Sequence, residues 1–308
     1  MENEQIPINS GGTIWPWNSA YTIPMITIGG ILLIIFTLHE GYSAKHPIMP
    51  WRLFKRRSVA IVLAQGALHD FVWQATQYFI PLYLQTVRGY TPMRSATLIL
   101  PFLLAQSLAG ASSGPIMLKL ARCGPVLRTG FTLWALGAGL KLVFSRSTPL
   151  WAYVIVLAIE GAGSGYVHQP GLVALQALSR VEDRAVATST RNFLRSLGGV
   201  AGVAVSTALQ YAVTEKALRS RGSAELVGSV MSGRWRVGDG SDDVVLDARM
   251  KGFQAVFALS VPLMAVCLMG SFFVADETLR GDEKEDGGRR AVPLVTSSRS
   301  TDMKNSDV

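Results

Sequence analysis

The sequence predicts an all-α, polytopic membrane protein with seven transmembrane helices. Three observations carry that prediction. Hydrophobic residues make up 49% of the 308 positions and charged residues only 16%, against roughly 25% charge in ordinary soluble domains. Of the 21 acids, only Asp70 and Glu160 fall between residues 41 and 181. Seven apolar runs reach the length, about 20 residues, that a helix needs to cross a hydrocarbon core of roughly 30 Å. This composition excludes a disordered chain and argues against a soluble enzyme. The reading is of a non-enzymatic protein.

The runs lie at about 21–38, 58–84, 94–118, 126–144, 150–178, 187–213 and 252–274, and are called spans one to seven here. Spans two, five and six exceed the minimum, which implies tilted or broken helices. Residues 1–19 form an extracytoplasmic N-terminal segment without the basic and apolar regions of a signal peptide. Residues 214–251 read as a long outer connection, with seven basic and six acidic residues. Residues 276–308 carry eight acids, six bases and several serines, and read as a disordered cytoplasmic tail.

Orientation follows from the basic residues of the short loops. Lys45, Arg52, Lys55, Arg56, Arg57, Lys119, Arg122, Arg128, Arg180, Arg184 and Arg191 lie on one side. Arg88, Arg94 and Arg146 lie on the other. Basic loops stay in the cytoplasm, so the N-terminus is expected outside and the C-terminus inside. The net charge of +8 is spread over these flanks without an aromatic-interleaved patch, so no nucleic-acid partner is expected. Two cysteines and four scattered histidines support neither a disulfide framework nor a metal site, and no cofactor is expected.

Polar residues inside the spans carry the functional signal, because an ionisable group in lipid is costly and faces a cavity or a partner. In span two, Asp70, Gln74, Gln77 and Tyr78 fall on one helical face; His69 points about 100° away. In span five, Glu160, Ser164 and His168 share a face, and Gln169, Pro170 and Gly171 are expected to interrupt the helix. Asp70 and Glu160 are candidates for proton exchange; the alternative is a satisfied structural hydrogen bond. Arg191 and Arg195 open span six on one face. Arg191 is expected to snorkel, and Arg195 either snorkels or stands as a buried cation pairing with an acid or an anionic substrate group. Lys141, at the outer end of span four, is expected to snorkel. Trp15, Trp17, Trp51, Trp134 and Trp151 are expected as interfacial anchors.

Small residues recur at helix-packing spacing: Gly110 and Gly114 in span three, Gly161 and Gly165 in span five, Gly198, Gly199 and Gly202 in span six. They allow close backbone approach, either as static packing or as a gating surface between moving bundles.

These residues resemble the C-terminal half of a fungal major facilitator superfamily transporter of the fourteen-helix drug–proton antiporter type. Gly11, Gly12, Trp15, Pro16 and Trp17 resemble the loop before the eighth helix of that family. Pro47, Pro50, Trp51 and Arg52 resemble the approach to the ninth, and Tyr78, Pro81, Tyr83, Gln85 and Gly89 its outer end. The run Ala187 to Gly202, through Arg191, Asn192, Arg195 and Gly198, resembles the thirteenth. Gly114, Lys119, Arg122, Gly124 and Arg128 resemble a degenerate cytoplasmic loop motif without its Asp. The resemblance implies a linker helix with its basic loop over 20–57, then a six-helix C-terminal lobe over 58–275. It implies proton-coupled export of small organic compounds by a chain incomplete without an N-terminal lobe. The implied partners are the bilayer, substrate, protons and a second lobe or chain. The implied location is the plasma membrane, with the vacuole as alternative. A non-transporting remnant and a seven-helix receptor are the competing readings.

Overall fold

The computed structural model describes residues 51–221, 223–231 and 242–274, together with helical positions 27–29, 31, 35 and 38. The expectations for residues 1–19, for most of span one, for the basic stretch 41–50 and for the tail lie outside the described residues. Elsewhere the chain is helical: α1 (Trp51–Lys55), α2 (Arg57–Thr86), α3 (Pro92–Leu120), α4 (Gly124–Leu140), α5 (Leu150–Leu178), α6 (Arg184–Ser220), α7 (Ala224–Met231) and α8 (Asp242–Phe273). Short 3₁₀ turns, Lys141–Val143 and Val181–Asp183, follow α4 and precede α6.

Start and stop signals sit where local chemistry puts them. Thr91 caps α3 by accepting from the Arg94 amide, and Pro92 occupies the first turn, where its missing N–H costs nothing. Ala121 ends α3 in a left-handed conformation with φ 52°. The last carbonyls of α5 are taken by Arg56, which donates to Leu178 O at 2.6 Å, and by Arg184, which donates to Gln176 O at 3.2 Å. Cations at a helix C-terminus also complement its dipole.

Among the described residues, five helices are long and apolar enough to cross a membrane: α3, α4 with its 3₁₀ extension, α5, α6 with its preceding turn, and α8. The chain is an integral, multi-pass membrane protein. α2 spans 30 residues but is not among the five, because Gln65, His69, Asp70, Gln74 and Gln77 dilute its apolar content. Most of these polar groups face protein, so low hydropathy here reflects a polar interior.

Several expectations change. α5 is one continuous helix through the buried Pro170; packing neighbours and added donors satisfy the backbone around a membrane proline. α2 and α6 are likewise unbroken. α6 runs to Ser220 and α8 begins at Asp242, so both extend into the expected 214–251 connection, and α7 lies between them. Hydropathy marks only the lipid-embedded part of a helix. The backbone ladder continues into water, supported by pairs such as Glu215–Arg219 at 2.8 Å.

The main packing contacts pair α3 with α5, α2 with α6 and α4 with α5, with α8 against α6, α4 and α2. Two cores result. One gathers Phe79, Tyr83, Phe102, Phe144, Tyr153, Phe253 and Phe257; the other gathers Val72, Leu127, Phe131, Trp134, Val167 and Met264. α2 and α5 contribute to both. Leu100, Leu104 and Leu108, one stripe on α3, are exposed, as expected of a lipid-facing surface.

Glycine sets the helix spacing. A Cβ on Gly161 or Gly165 would overlap backbone of Phe102 or Gln106 on α3, and one on Gly198 or Gly202 would overlap the carbonyls of Ala67 or Phe71 on α2. Gly199 packs on the Gln74 side chain. Gly110 and Gly114 are different: a Cβ on the first would meet Gln169 at an ordinary 3.9 Å, and one on the second would meet nothing. Gly161→Ala is therefore expected to lower stability by about 1–3 kcal/mol through overpacking, while Gly114→Ala leaves it unchanged. Thermal unfolding in detergent, read by near-ultraviolet circular dichroism, checks both.

Candidate functional site

α2 and α5 bring ionisable side chains together at two levels of the bundle. The first lies at the α2–α5–α6 face. Arg195 of α6 donates to Asp70 Oδ1 from Nη2 at 2.7 Å and from Nε at 3.1 Å. His69 Nδ1 reaches the same oxygen at 3.1 Å. Arg195 Nη2 also donates to His168 Nδ1 at 3.3 Å, so that nitrogen carries a lone pair. The Asp70 and Arg195 side chains keep 14% and 15% of their surface exposed. Asp70, His168 and Arg195, picked out in the sequence on three different helices, thus form one cluster.

Arg191, one turn before Arg195, does not snorkel. It is 5% exposed, and Nη2 donates to the His168 carbonyl at 2.9 Å. That carbonyl belongs to the turn of α5 that holds Pro170, through which the helix continues unbroken.

The second level is deeper. Lys141 and Glu160 are both fully buried, with Nζ to Oε1 at 2.7 Å. Lys141 also donates to Thr76 Oγ1 at 2.9 Å, Thr76 donates to Glu160 Oε1 at 3.2 Å, and the Trp134 indole donates to it at 3.1 Å. Glu160 Oε2 has no hydrogen-bond partner among the described residues. The expectations for Lys141 and Trp134 are therefore corrected. Gly137 lets α4 close onto the Glu160 backbone, and this draws the end of α4 inward rather than toward the headgroups.

His69, only 2% exposed, lies between the levels. Its ring packs edge-on against Trp134 at 4.5 Å and lies 5.7 Å from His168. Its Nε2 lies 3.5 Å from Ser164 Oγ, and Gln106 donates to that hydroxyl at 3.2 Å. Although adjacent helical residues diverge, the short Asp70 side chain and the imidazole bend back to each other.

The rest of the span-two stripe stays apart. Gln74 and Tyr78 are exposed, Gln77 is half-buried, and Tyr78 packs on Phe79. His69, Thr76 and Lys141 are the members that sequence reasoning missed. Thr76, six positions after Asp70 on α2, lies between Gln74 and Gln77, so its hydroxyl does not stand out in the sequence. Among the described residues no cluster of His, Cys, Asp and Glu has the makings of a metal site.

At one end of the bundle, Arg88 donates to the Arg146 carbonyl, to Thr148 O at 2.9 Å and to the Tyr90 hydroxyl at 3.2 Å. Arg146 pairs with Asp243 and Asp247, and Arg221 also reaches Asp247. These exposed pairs tie the α4–α5 connection to α8 and the end of α6, and they contribute little energy individually.

Apolar outer surfaces, glycine-spaced helices and ionised groups held inside define a polytopic membrane protein with a polar interior. Residues 8–209 match the family model of the Major Facilitator Superfamily. Citrate exporter 1 of Yarrowia lipolytica is 34% identical over 293 residues, covering 93% of this chain and 44% of the exporter. The MFS-type transporter clz4 of Cochliobolus lunatus is 28% identical over 276 residues, covering 88% and 48%. The efflux pump dotC of Dothistroma septosporum is 32% identical over 199 residues, covering 65% and 34%. The chain spans less than half the length of these relatives. The chain belongs to the major facilitator superfamily, a family of transporters rather than enzymes.

Thr76→Val removes one donor to Glu160 and one acceptor of Lys141 while keeping the shape. It is expected to destabilise the protein by about 1–3 kcal/mol, measured as a lowered midpoint of thermal unfolding in detergent.

Proposed function

We propose that this chain forms the C-terminal lobe of a proton-coupled exporter of small organic compounds, of the fourteen-helix drug–proton antiporter type. In this reading residues 58–275 are the lobe, 20–57 supply a linker helix, and a second lobe completes the substrate cavity. The N-terminus faces outward and the C-terminus the cytoplasm, in the plasma membrane. The relatives' names, which include a citrate exporter and an efflux pump, support small organic compounds as the substrate class.

The observation that carries the reading is that both acids of the lobe core are held by a cation from another part of the chain: Asp70 by Arg195, and Glu160 by Lys141. Protonating either acid removes its attraction for that cation. The ion pair gives way to a buried, uncompensated positive charge, which favours an arrangement that returns the cation to water. A proton therefore biases the relative stability of two arrangements of α2, α5 and α6, as coupled transport requires. Asp70 sits at the accessible face and exchanges protons with the cavity. Glu160, with one oxygen unpartnered, has room for a proton without losing a hydrogen bond. The tight glycines at Gly161, Gly165, Gly198 and Gly202 hold α3 to α5 and α2 to α6 as pairs that move as units, while Gly199 lets α6 ride on Gln74. Gln77 and Tyr78 face the substrate pathway.

The test is flux of citrate and of a fluorescent efflux dye in vesicles carrying the protein, with and without a pH gradient. Asp70→Asn and Glu160→Gln are expected to lower gradient-driven flux by about tenfold or more, a barrier change of about 1.4 kcal/mol, while substrate exchange without a gradient survives. Equal gradient-driven flux in the parent and both variants would remove these acids from the mechanism.

A further inference from the structure

We propose that Arg191 and Arg195, with His168 beside them, bind the carboxylate of a soluble organic anion at the α2–α5–α6 face. This refines the substrate class of the transporter reading and rests on it.

Two guanidiniums meet at this face, and Asp70 is the carboxylate that answers them. Asp70 is committed to Arg195, which reaches Oδ1 with both Nε and Nη2. Arg191 is 95% removed from solvent, and its hydrogen-bond partner among the described residues is the His168 carbonyl. A neutral dipole does not compensate a buried guanidinium. Burial of an ion costs several kcal/mol and is offset only by an opposite charge in good geometry. The local excess of one positive charge is therefore a standing cost in the empty protein, and an anion removes it.

The donors also fit. A guanidinium offers five N–H groups in a planar fork matched to a carboxylate. Arg191 uses one through Nη2, which leaves Nε and Nη1. Arg195 keeps Nη1 beyond its bonds to Asp70 and His168. Both side chains lie over Gly66 of α2: a Cβ there would stand 3.4 Å from Arg195 Cγ and 3.7 Å from Arg191 Cγ. A Cβ on Gly171 of α5 would stand 3.5 Å from Arg191 Nη2. The two glycines thus let the arginine stems lie close on α2 and Arg191 Nη2 close on α5. Asn192 and Ser196, the residues after each arginine on α6, are exposed. Arg191 is a cation kept at a cost to stability, which is the pattern of a binding residue.

The proposal makes two opposed demands on one substitution. Arg191→Gln is expected to leave the ligand-free protein as stable as the parent or more stable, because it removes an uncompensated charge. It is also expected to weaken citrate binding by about tenfold or more. Citrate, succinate and tetraphenylphosphonium are titrated against the full chain in phosphatidylcholine nanodiscs, with binding read by calorimetry and stability by thermal unfolding. Arg191→Lys, which keeps the charge without the fork, is expected to fall between parent and Arg191→Gln, and it carries the test if Arg191→Gln fails to fold. Arg122→Gln, on an exposed loop, is expected to bind as the parent does. A repeat with phosphatidylserine in the nanodisc separates a soluble anion from a lipid headgroup. Citrate binding that weakens as predicted, with or without phosphatidylserine, supports the proposal. It is overturned if the parent fails to bind citrate, if Arg191→Gln binds as the parent does, if tetraphenylphosphonium is preferred, or if phosphatidylserine abolishes citrate binding. The equilibrium reading stands apart from flux. A parent that moves the dye but does not bind citrate loses this site and keeps the transporter reading.

Discussion

The Lys141–Glu160 pair is the constraint around which the helix bundle is organised. Two ions fully removed from water must neutralise each other, and their geometry has little room to relax. Satisfying them fixes three parts of the chain at once: the end of α4, the middle of α5 and, through Thr76, the middle of α2. Trp134 completes the shell and carries His69 on its face, which links the deep pair to the Asp70–Arg195 cluster above. The polar interior is thus one connected layer crossing the bundle, with its accessible end at α6.

Packing and electrostatics depend on each other here. Gly137 lets α4 approach the Glu160 backbone closely, and Gly161 and Gly165 bring α3 onto the other side of α5. Without that closeness Lys141 would not reach Glu160, and a charge at a helix end would turn to the interface, as long basic side chains do. In lipid there is little hydrophobic drive between helices, so close backbone contact and buried charge pairs carry much of the specificity that an apolar core supplies in water.

How far the sequence exposes this arrangement depends on the kind of signal. The membrane class and most helix positions follow from apolar run length, and span five matches α5 residue for residue. Asp70, His168 and Arg195 stand out because polar residues in apolar runs are costly, and the structure gathers them. Lys141 does not stand out: a lysine near the end of an apolar run looks the same whether it snorkels or turns inward, and the choice rests on a glycine and an acid on two other elements. Trp134 and Arg191 mislead for the same reason. Pro170 misleads in the opposite sense, because a rule learned from isolated helices overlooks the neighbours that support it. The extension of α6 and α8 beyond the apolar runs is invisible to hydropathy, which measures lipid contact and not hydrogen bonding.

The most direct test is a double-mutant cycle on the deep pair, with stability measured by reversible unfolding in a membrane mimetic. Lys141→Met and Glu160→Gln are each expected to cost about 3–5 kcal/mol, since each strands a buried polar partner. The double variant is expected to cost no more than either alone, which gives a coupling energy of several kcal/mol. Additive costs would show that the two side chains do not hold each other, and the account of a lobe built around their pairing would be wrong.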